Sequence, residues 1–229
     1  MKNKKIVSLI SGGMDSCTVV GKLAIEGYEV FPIYIDYGQK VKKRELSAVR
    51  KYLNFLEKKY TVHNLIVSKV SLPFLRIPML GYGKIPKYYE DNFLTLSSKK
   101  IDYVPARNII FLSIASSYAV VVGSDKISMG AYKEDELPPY PDSSREFFDS
   151  MEKSLSKGMY DKIKIITPFI NQYKWDIVKY SENHGLPIHF TWSCYEGGKK
   201  HCGLCRNCID RKKAFEKAGI RDPTKYIHL

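Results

Sequence analysis

Ser8-Leu9-Ile10-Ser11-Gly12-Gly13-Met14-Asp15-Ser16 is the stretch that decides the fold. An apolar run over residues 6–10 leads into two adjacent glycines, and an apolar-rich helical pattern leaves from Cys17. The order is strand, tight loop, helix start. Gly12 and Gly13 let the backbone approach a ligand closely and take up positive φ. The loop amides and the first N–H groups of the helix are then left facing outward, which makes an anion site. Ser11 and Ser16 add hydroxyl donors, and Asp15 suits a Mg²⁺ that bridges to phosphate oxygens. The lysine that ends a GxxxxGK[ST] phosphate loop is absent. The loop reads as a nucleotide site.

Outward from the loop, strands and helices alternate. A helix is expected over 18–26 with Gly27 as its stop, a strand over 29–35, a helix over 41–58 and a strand over 60–67. This order predicts an α/β fold with a doubly wound, mostly parallel sheet and ligand at the carboxyl ends of its strands. Residues 71–100 lose all periodicity and carry Pro73, Pro78, Gly81, Gly83 and Pro86. So long a loop serves as a lid or an interface segment. Further on, a helix is expected over 108–122, a strand over 126–130, a helix over 143–156 with Ser143 or Ser144 as N-cap, a strand over 163–166 and a helix over 174–183. Arg107 stands at a helix start, where the dipole disfavours a cation. It either meets something anionic or sits on a solvated first turn.

The second signal is C-terminal. Cys194, Cys202, Cys205 and Cys208 follow C-x7-C-x2-C-x2-C. Thiolates at this spacing can share one metal, and four of them suit a closed tetrahedral structural Zn²⁺. Gly197, Gly198 and Gly203 permit the sharp turns that such wrapping needs. Disulfides and an iron–sulfur cluster are the alternatives. His201 stands beside a complete set of four thiols and reads as a bystander. Cys17, just behind the loop, reads as a small buried thiol.

The chain has 229 residues, enough to bury a substantial core. Aromatics at 13% and an apolar share of 44% fit a globular protein. No apolar run reaches the roughly 20 residues of a membrane span, and the basic start runs straight into the first strand, so no cleavable signal and a cytoplasmic location are expected. Net charge is +13, from 37 basic and 24 acidic residues. Such a balance suits RNA or another polyanion, but the basic residues are scattered and lack aromatic interleaving. Solubility or thermal stability explains a lysine-rich surface equally well.

Ser-Gly-Gly-x-Asp-Ser resembles the pyrophosphate-binding loop of the adenylating PP-loop ATPases, which cleave ATP between its α and β phosphates. The chain as a whole resembles the 7-cyano-7-deazaguanine synthase family. The resemblance runs through Ser11–Ser16, Asp36-Tyr37-Gly38-Gln39, Val104-Pro105-Ala106-Arg107-Asn108, Tyr140-Pro141-Asp142, Thr191-Trp192-Ser193-Cys194-Tyr195, the cysteines at 202, 205 and 208, and Asp222-Pro223-Thr224-x-Tyr226. It departs at one place. Many members carry Cys-Arg-Pro-Glu-Phe after Tyr-Pro-Asp, and here stand Ser143-Ser144-Arg145-Glu146-Phe147.

The resemblance implies an adenine nucleotide alpha-hydrolase-like, Rossmann-like domain over 1–190 and a zinc-binding subdomain over 191–229. It implies ATP-dependent conversion of 7-carboxy-7-deazaguanine and ammonia into 7-cyano-7-deazaguanine, a precursor of the queuosine and archaeosine modifications of tRNA, by a homodimer that uses Mg²⁺. Ser11, Gly12, Gly13, Met14, Asp15 and Ser16 would bind pyrophosphate and its metal, with Tyr37 and Gln39 near the nucleotide. Asp15, Arg107 and Lys174 would carry the phosphoryl chemistry, and Asp142, Arg145 and Glu146 would meet the guanine-like ring. A PP-loop enzyme that adenylates and modifies tRNA directly is the rival reading, although nucleic acid is not expected as the direct substrate. A zinc-bearing RNA-binding scaffold is a second rival, and ATP turnover to AMP separates it from both.

Overall fold

A computed structural model describes residues 4–85, 87, 103–133 and 140–228. Five strands form one wholly parallel sheet: β1 (Lys5–Leu9), β2 (Glu29–Asp36), β3 (Ile66–Lys69), β4 (Lys126–Ser128) and β5 (Lys164–Ile166), in the order β3-β2-β1-β4-β5. The chain walks from β1 outward to β3, then returns to the other side of β1 for β4. That reversal beside β1 opens a crevice at the carboxyl edge of the sheet.

Strand alternation divides the core in two. Ile6 and Ile10 face α1 (Met14–Ile25), α2 (Lys42–Leu56), α5 (Lys174–Asn183) and α6 (Arg206–Ala218), through Cys17, Val20, Val49, Leu53, Ile177 and Phe215. Val7 and Leu9 face α3 (Arg107–Val122) and α4 (Arg145–Gly158), through Leu112, Ala115, Ala119, Phe148 and Leu155. Because β1 is covered on both sides, it reads as an almost unbroken apolar run. After Lys5 its polar member is Ser8, which is buried and accepts a hydrogen bond from Ser128 of β4 at 2.6 Å.

A third cluster joins Tyr37, Met79, Ile85 and Val104 to the four C-terminal cysteines. Ala214 and Phe215 belong to the core that contains Ile6 and Leu23, so side-chain packing runs across the 190/191 boundary.

The elements fall close to expectation, with instructive shifts. Helix α1 begins at Met14, because Gly13 itself is its N-cap and the loop closes straight into the first turn. Helix α4 is capped by Ser144, whose hydroxyl accepts from the Phe147 amide at 3.1 Å. The third strand lies later than 60–67. Residues near Val62 touch Val30 by a single bridge, and regular pairing starts only at Ile66 opposite Ile33. Apolar residues 60–65 lie over the end of the core and read as strand without pairing as one. Helix α6 has no counterpart in the sequence reading, and residues 86 and 88–100 of the 71–100 loop lie outside the described residues. Among the described residues, no helix is long and apolar enough to cross a membrane.

Candidate active site

The loop after β1 is held from several sides. Gly12 sits at φ 83°, and a Cβ there would lie 2.6 Å from the Glu45 carbonyl oxygen, so only glycine allows α2 this close. The Ser16 hydroxyl accepts from the Ser11 amide at 3.1 Å and lies 3.0 Å from the Ser11 hydroxyl. Gly13 offers no side chain to cap α1. The first-turn amides therefore face the crevice, where the helix dipole favours an anion.

One cavity collects most of the residues expected of a nucleotide site. Ser11, Gly13, Met14, Asp15, Ser16, Tyr37, Gln39, Arg107 and Lys174 all line it, with Glu45, Asn108, Trp192, Tyr195 and Asn207. Gly12 shapes the loop from behind. Lys174, the first residue of α5, reaches Asp15 Oδ2 at 3.4 Å and donates to the Tyr132 hydroxyl at 3.2 Å. Burial opposes the Lys174 charge, but Asp15 and then Tyr132 and Asp210 overcome it and raise the pKa above the ordinary lysine value. The second carboxylate oxygen, Asp15 Oδ1, is buried without a hydrogen-bond partner among the described residues. An oxygen so placed beside a phosphate-type loop fits a hard divalent cation.

Arg107 enters from the opposite face of the sheet, at the head of α3. Burial again opposes its charge, and the Tyr37 and Tyr195 phenols and Asp142 raise its pKa in spite of it. The neighbouring phenols and Asp142 favour its charge, whereas the first-turn dipole opposes it. The residue before it, Ala106, adopts φ 57°, the one non-glycine residue in left-handed backbone among the described residues.

Four further residues expected at the site are placed as follows. Gln39 lines the cavity, but its amide is engaged below it: Nε2 donates to Glu45 Oε2 at 2.8 Å and to the Tyr34 hydroxyl at 2.5 Å, and Oε1 accepts from the Tyr37 amide at 2.9 Å. Tyr34 in turn donates to Glu45 at 2.6 Å, and burial pushes the Glu45 carboxyl up. Gln39 thus braces Tyr37 in this structure, and Glu45 is a wall residue that the sequence reading missed. Asp142 is buried outside the cavity, with Oδ2 accepting from the Asn108 amide at 3.2 Å. Arg145 and Glu146 lie outside it too, on the exposed first turn of α4, where Arg145 pairs with Asp149 at 3.2 Å.

The four C-terminal sulfurs of Cys194, Cys202, Cys205 and Cys208 lie within 4.8 Å of one another, all buried. Backbone amides of Glu196 and Cys202 donate to Cys194 Sγ at 3.4 and 3.2 Å, and those of Leu204 and Cys205 donate to Cys202 Sγ at 3.4 and 3.2 Å. Donors to sulfur favour thiolates, so the set fits a metal with soft ligand preference. A Cβ on Gly203 would meet the His228 carbonyl oxygen at 1.9 Å, which ties the last residues tightly over this knuckle.

His201 is no ligand here, because its Nε2 accepts from the Ser193 amide at 3.0 Å and its ring lies against Trp192. Burial, then the Arg211 charge, lowers its pKa to about 4. Cys17 is fully buried, and burial followed by Asp15 pushes its thiol up.

Trp192 joins the two sites. Its amide donates to the Gly12 carbonyl at 2.8 Å, and its indole N–H donates to the Cys194 carbonyl at 2.7 Å. Fully buried Arg211 binds the same strap, donating to Thr191 at 2.7 Å, Ser193 at 3.3 Å, the Ile188 carbonyl at 3.3 Å and Asp222 at 3.3 Å. The sequence reading assigned no role to Arg211.

The switch-point crevice, the glycine loop at the head of α1 and the acid–lysine pair define a nucleotide-binding α/β protein of the PP-loop kind. The family of the queuosine biosynthesis protein QueC matches residues 5–219, and the chain belongs to that family. The 7-cyano-7-deazaguanine synthase of Acetivibrio thermocellus is 38% identical over 232 residues, covering 98% of this chain and 98% of that protein. The synthase of Methanobrevibacter smithii is 36% identical over 231 residues, covering 99% of each. Among solved structures, a 4-thiouridine synthetase in complex with RNA and bound ATP is similar at 19% identity and a TM-score of 0.47, covering 94% of this chain and 50% of that one.

Proposed function

We propose that this chain is an ATP-dependent carbon–nitrogen ligase that converts 7-carboxy-7-deazaguanine and ammonia into 7-cyano-7-deazaguanine. The observation that carries the reading is the full-length membership in the family, joined to a cavity where loop, lysine and arginine converge. A free carboxylate is a poor electrophile towards ammonia. Its attack on the α-phosphate of ATP gives an acyl adenylate and pyrophosphate, and ammonia then displaces AMP to leave the primary amide. Attack by the amide oxygen on a second ATP gives an imidate adenylate and pyrophosphate. Loss of AMP and a proton leaves the nitrile.

The loop amides and the Ser11 and Ser16 hydroxyls hold the departing pyrophosphate. Lys174 and Arg107 stay charged and stabilise negative charge as the α–β bond breaks. Tyr37, braced by Gln39, favours the Arg107 charge. Mg²⁺, held by Asp15, supplies neutralisation of the phosphate oxygens when bound. Zinc, held by Cys194, Cys202, Cys205 and Cys208, supplies cross-linking and no chemistry, since a four-thiolate shell keeps no open position. A cytoplasmic homodimer, the state the resemblance implies, belongs to the same proposal, and light scattering tests its stoichiometry.

The test is mass spectrometry of a reaction with ATP, Mg²⁺, ammonium and 7-carboxy-7-deazaguanine. The expected result is a nitrile that accumulates with AMP and pyrophosphate. AMP without nitrile would mean a different acceptor, and no turnover of ATP would sink the reading.

A further inference from the structure

Asn108, the second residue of α3, is 3% exposed and lines the cavity. Its side-chain nitrogen donates to the Asp142 carbonyl oxygen at 2.7 Å and to the Ser143 hydroxyl at 3.2 Å, while its backbone amide donates to Asp142 Oδ2 at 3.2 Å. These bonds settle which way the amide points. Turning it over would set oxygen against the Asp142 carbonyl, two acceptors face to face. The side-chain oxygen, Oδ1, is therefore held in one orientation, and it is buried with no hydrogen-bond partner among the described residues. Leaving such an oxygen unpaired costs the full desolvation of the group. A site built to present one acceptor so rigidly is complementary to an N–H group and hostile to a carbonyl.

We propose that Asn108 is a specificity-determining residue whose side-chain oxygen accepts a hydrogen bond from the exocyclic 2-amino group of the deazaguanine acceptor. The inference rests on the function proposed above and deepens it. The acceptor, rather than the adenine of ATP, is assigned to this oxygen by position. The loop and Lys174 come to the crevice from the face covered by α1 and α5, and they hold the pyrophosphate that leaves. A carboxylate attacks the α-phosphate from the side opposite its leaving group. That side belongs to the head of α3, which covers the other face of the sheet. The 2-amino group is the donor that separates this ring from its hypoxanthine-like counterpart. The role expected of Asp142 thereby shifts: its carboxylate and carbonyl position Asn108, and the amide oxygen meets the ring.

The test compares 7-carboxy-7-deazaguanine with 7-carboxy-7-deazahypoxanthine, which lacks the amine, as substrates of the full chain. Sites that hydrogen-bond a substrate group reject analogues lacking it, here by about 10-fold or more in kcat/KM. In Asn108→Ala that preference should collapse to within about 2-fold, with the KM for ATP changed far less. Because the preference is a ratio within one protein, a partly folded preparation does not distort it. Asn108→Ser, which keeps a small polar group beside Asp142, supplies the same ratio should the alanine variant not fold. A wild-type-sized preference in either variant overturns the assignment. So does a raised KM for ATP with the preference intact, which would put the oxygen on the nucleotide. Failure of the wild type to turn over the guanine-like acid overturns the proposed function itself, and this inference with it.

Discussion

Lys174 and Arg107 reach one cavity from opposite faces of the sheet, each at the head of a helix, where the dipole works against it. Asp15 and Tyr132 hold the first, and Tyr37 and Tyr195 favour the charge of the second. Lys174→Met should slow AMP formation by about 10²–10³-fold with a native circular dichroism spectrum, the size of effect seen when one preorganised charge is removed. An unchanged rate would put the developing charge elsewhere. Ala106 makes the second prediction at this scale. Left-handed backbone costs a residue with a Cβ about 1–2 kcal/mol, and glycine costs about 0.5–1 kcal/mol in extra freedom when unfolded. Ala106→Gly should therefore leave stability unchanged or raise it by up to about 1 kcal/mol, read as the urea midpoint. Loss of stability would mean that the strain is relieved by contacts of the methyl group. The glycine loop was legible because its chemistry is local: strand, two glycines, helix. Gln39 shows the limit. Its motif pointed to the nucleotide, yet the hydrogen bonds that engage its amide come from Tyr34 and Glu45, whose placement depends on the pairing of β2 with its neighbours and on the docking of α2.

At the scale of elements, the cysteine spacing announced the knuckle, and the alternation of strands with helices announced the sheet. Helix α6 was hidden by its own composition. Arg206, Arg211, Lys212, Lys213 and Lys217 crowd it, and its apolar stripe is reduced to Cys208, Ala214 and Phe215. What the pattern cannot show is that Arg211 turns inward. Arg211→Met should destabilise the chain by about 2–4 kcal/mol, because the part-buried Asp222 is left without its cation. A shift below about 1 kcal/mol in denaturant melts would mean that the pair is solvated. His201 adds a pH signature. Its folded pKa, about 4, lies below the ordinary histidine value of about 6.5. Between those values the unfolded chain binds more protons, so stability falls as pH falls, by up to about 3 kcal/mol over the window. His201→Gln should flatten that part of the stability profile, and a slope equal to the wild type's would assign the loss to other groups.

At the scale of the whole molecule, the chain carries a net charge of +13. The KM for ATP should rise as salt is raised from 50 to 500 mM, since screening shortens the reach of the basic surface. A KM indifferent to salt would confine that charge to solubility. Metal removal reaches further than its place in the sequence suggests. A strong chelator should release one zinc per chain, lower the melting temperature and abolish ATP turnover together, because Trp192, Ser193, Cys194 and Tyr195 are both knuckle and cavity wall. Retained turnover in metal-free protein would separate the two.

The hydrogen bond from Trp192 to Gly12 spans most of the chain. A ribosome makes the glycine loop first and the tryptophan strap, with its cysteines, some 180 residues later. Until those residues emerge, the nascent chain holds a phosphate loop with one wall missing. Synthesis itself therefore delays the onset of ATP turnover until the tryptophan strap has been made.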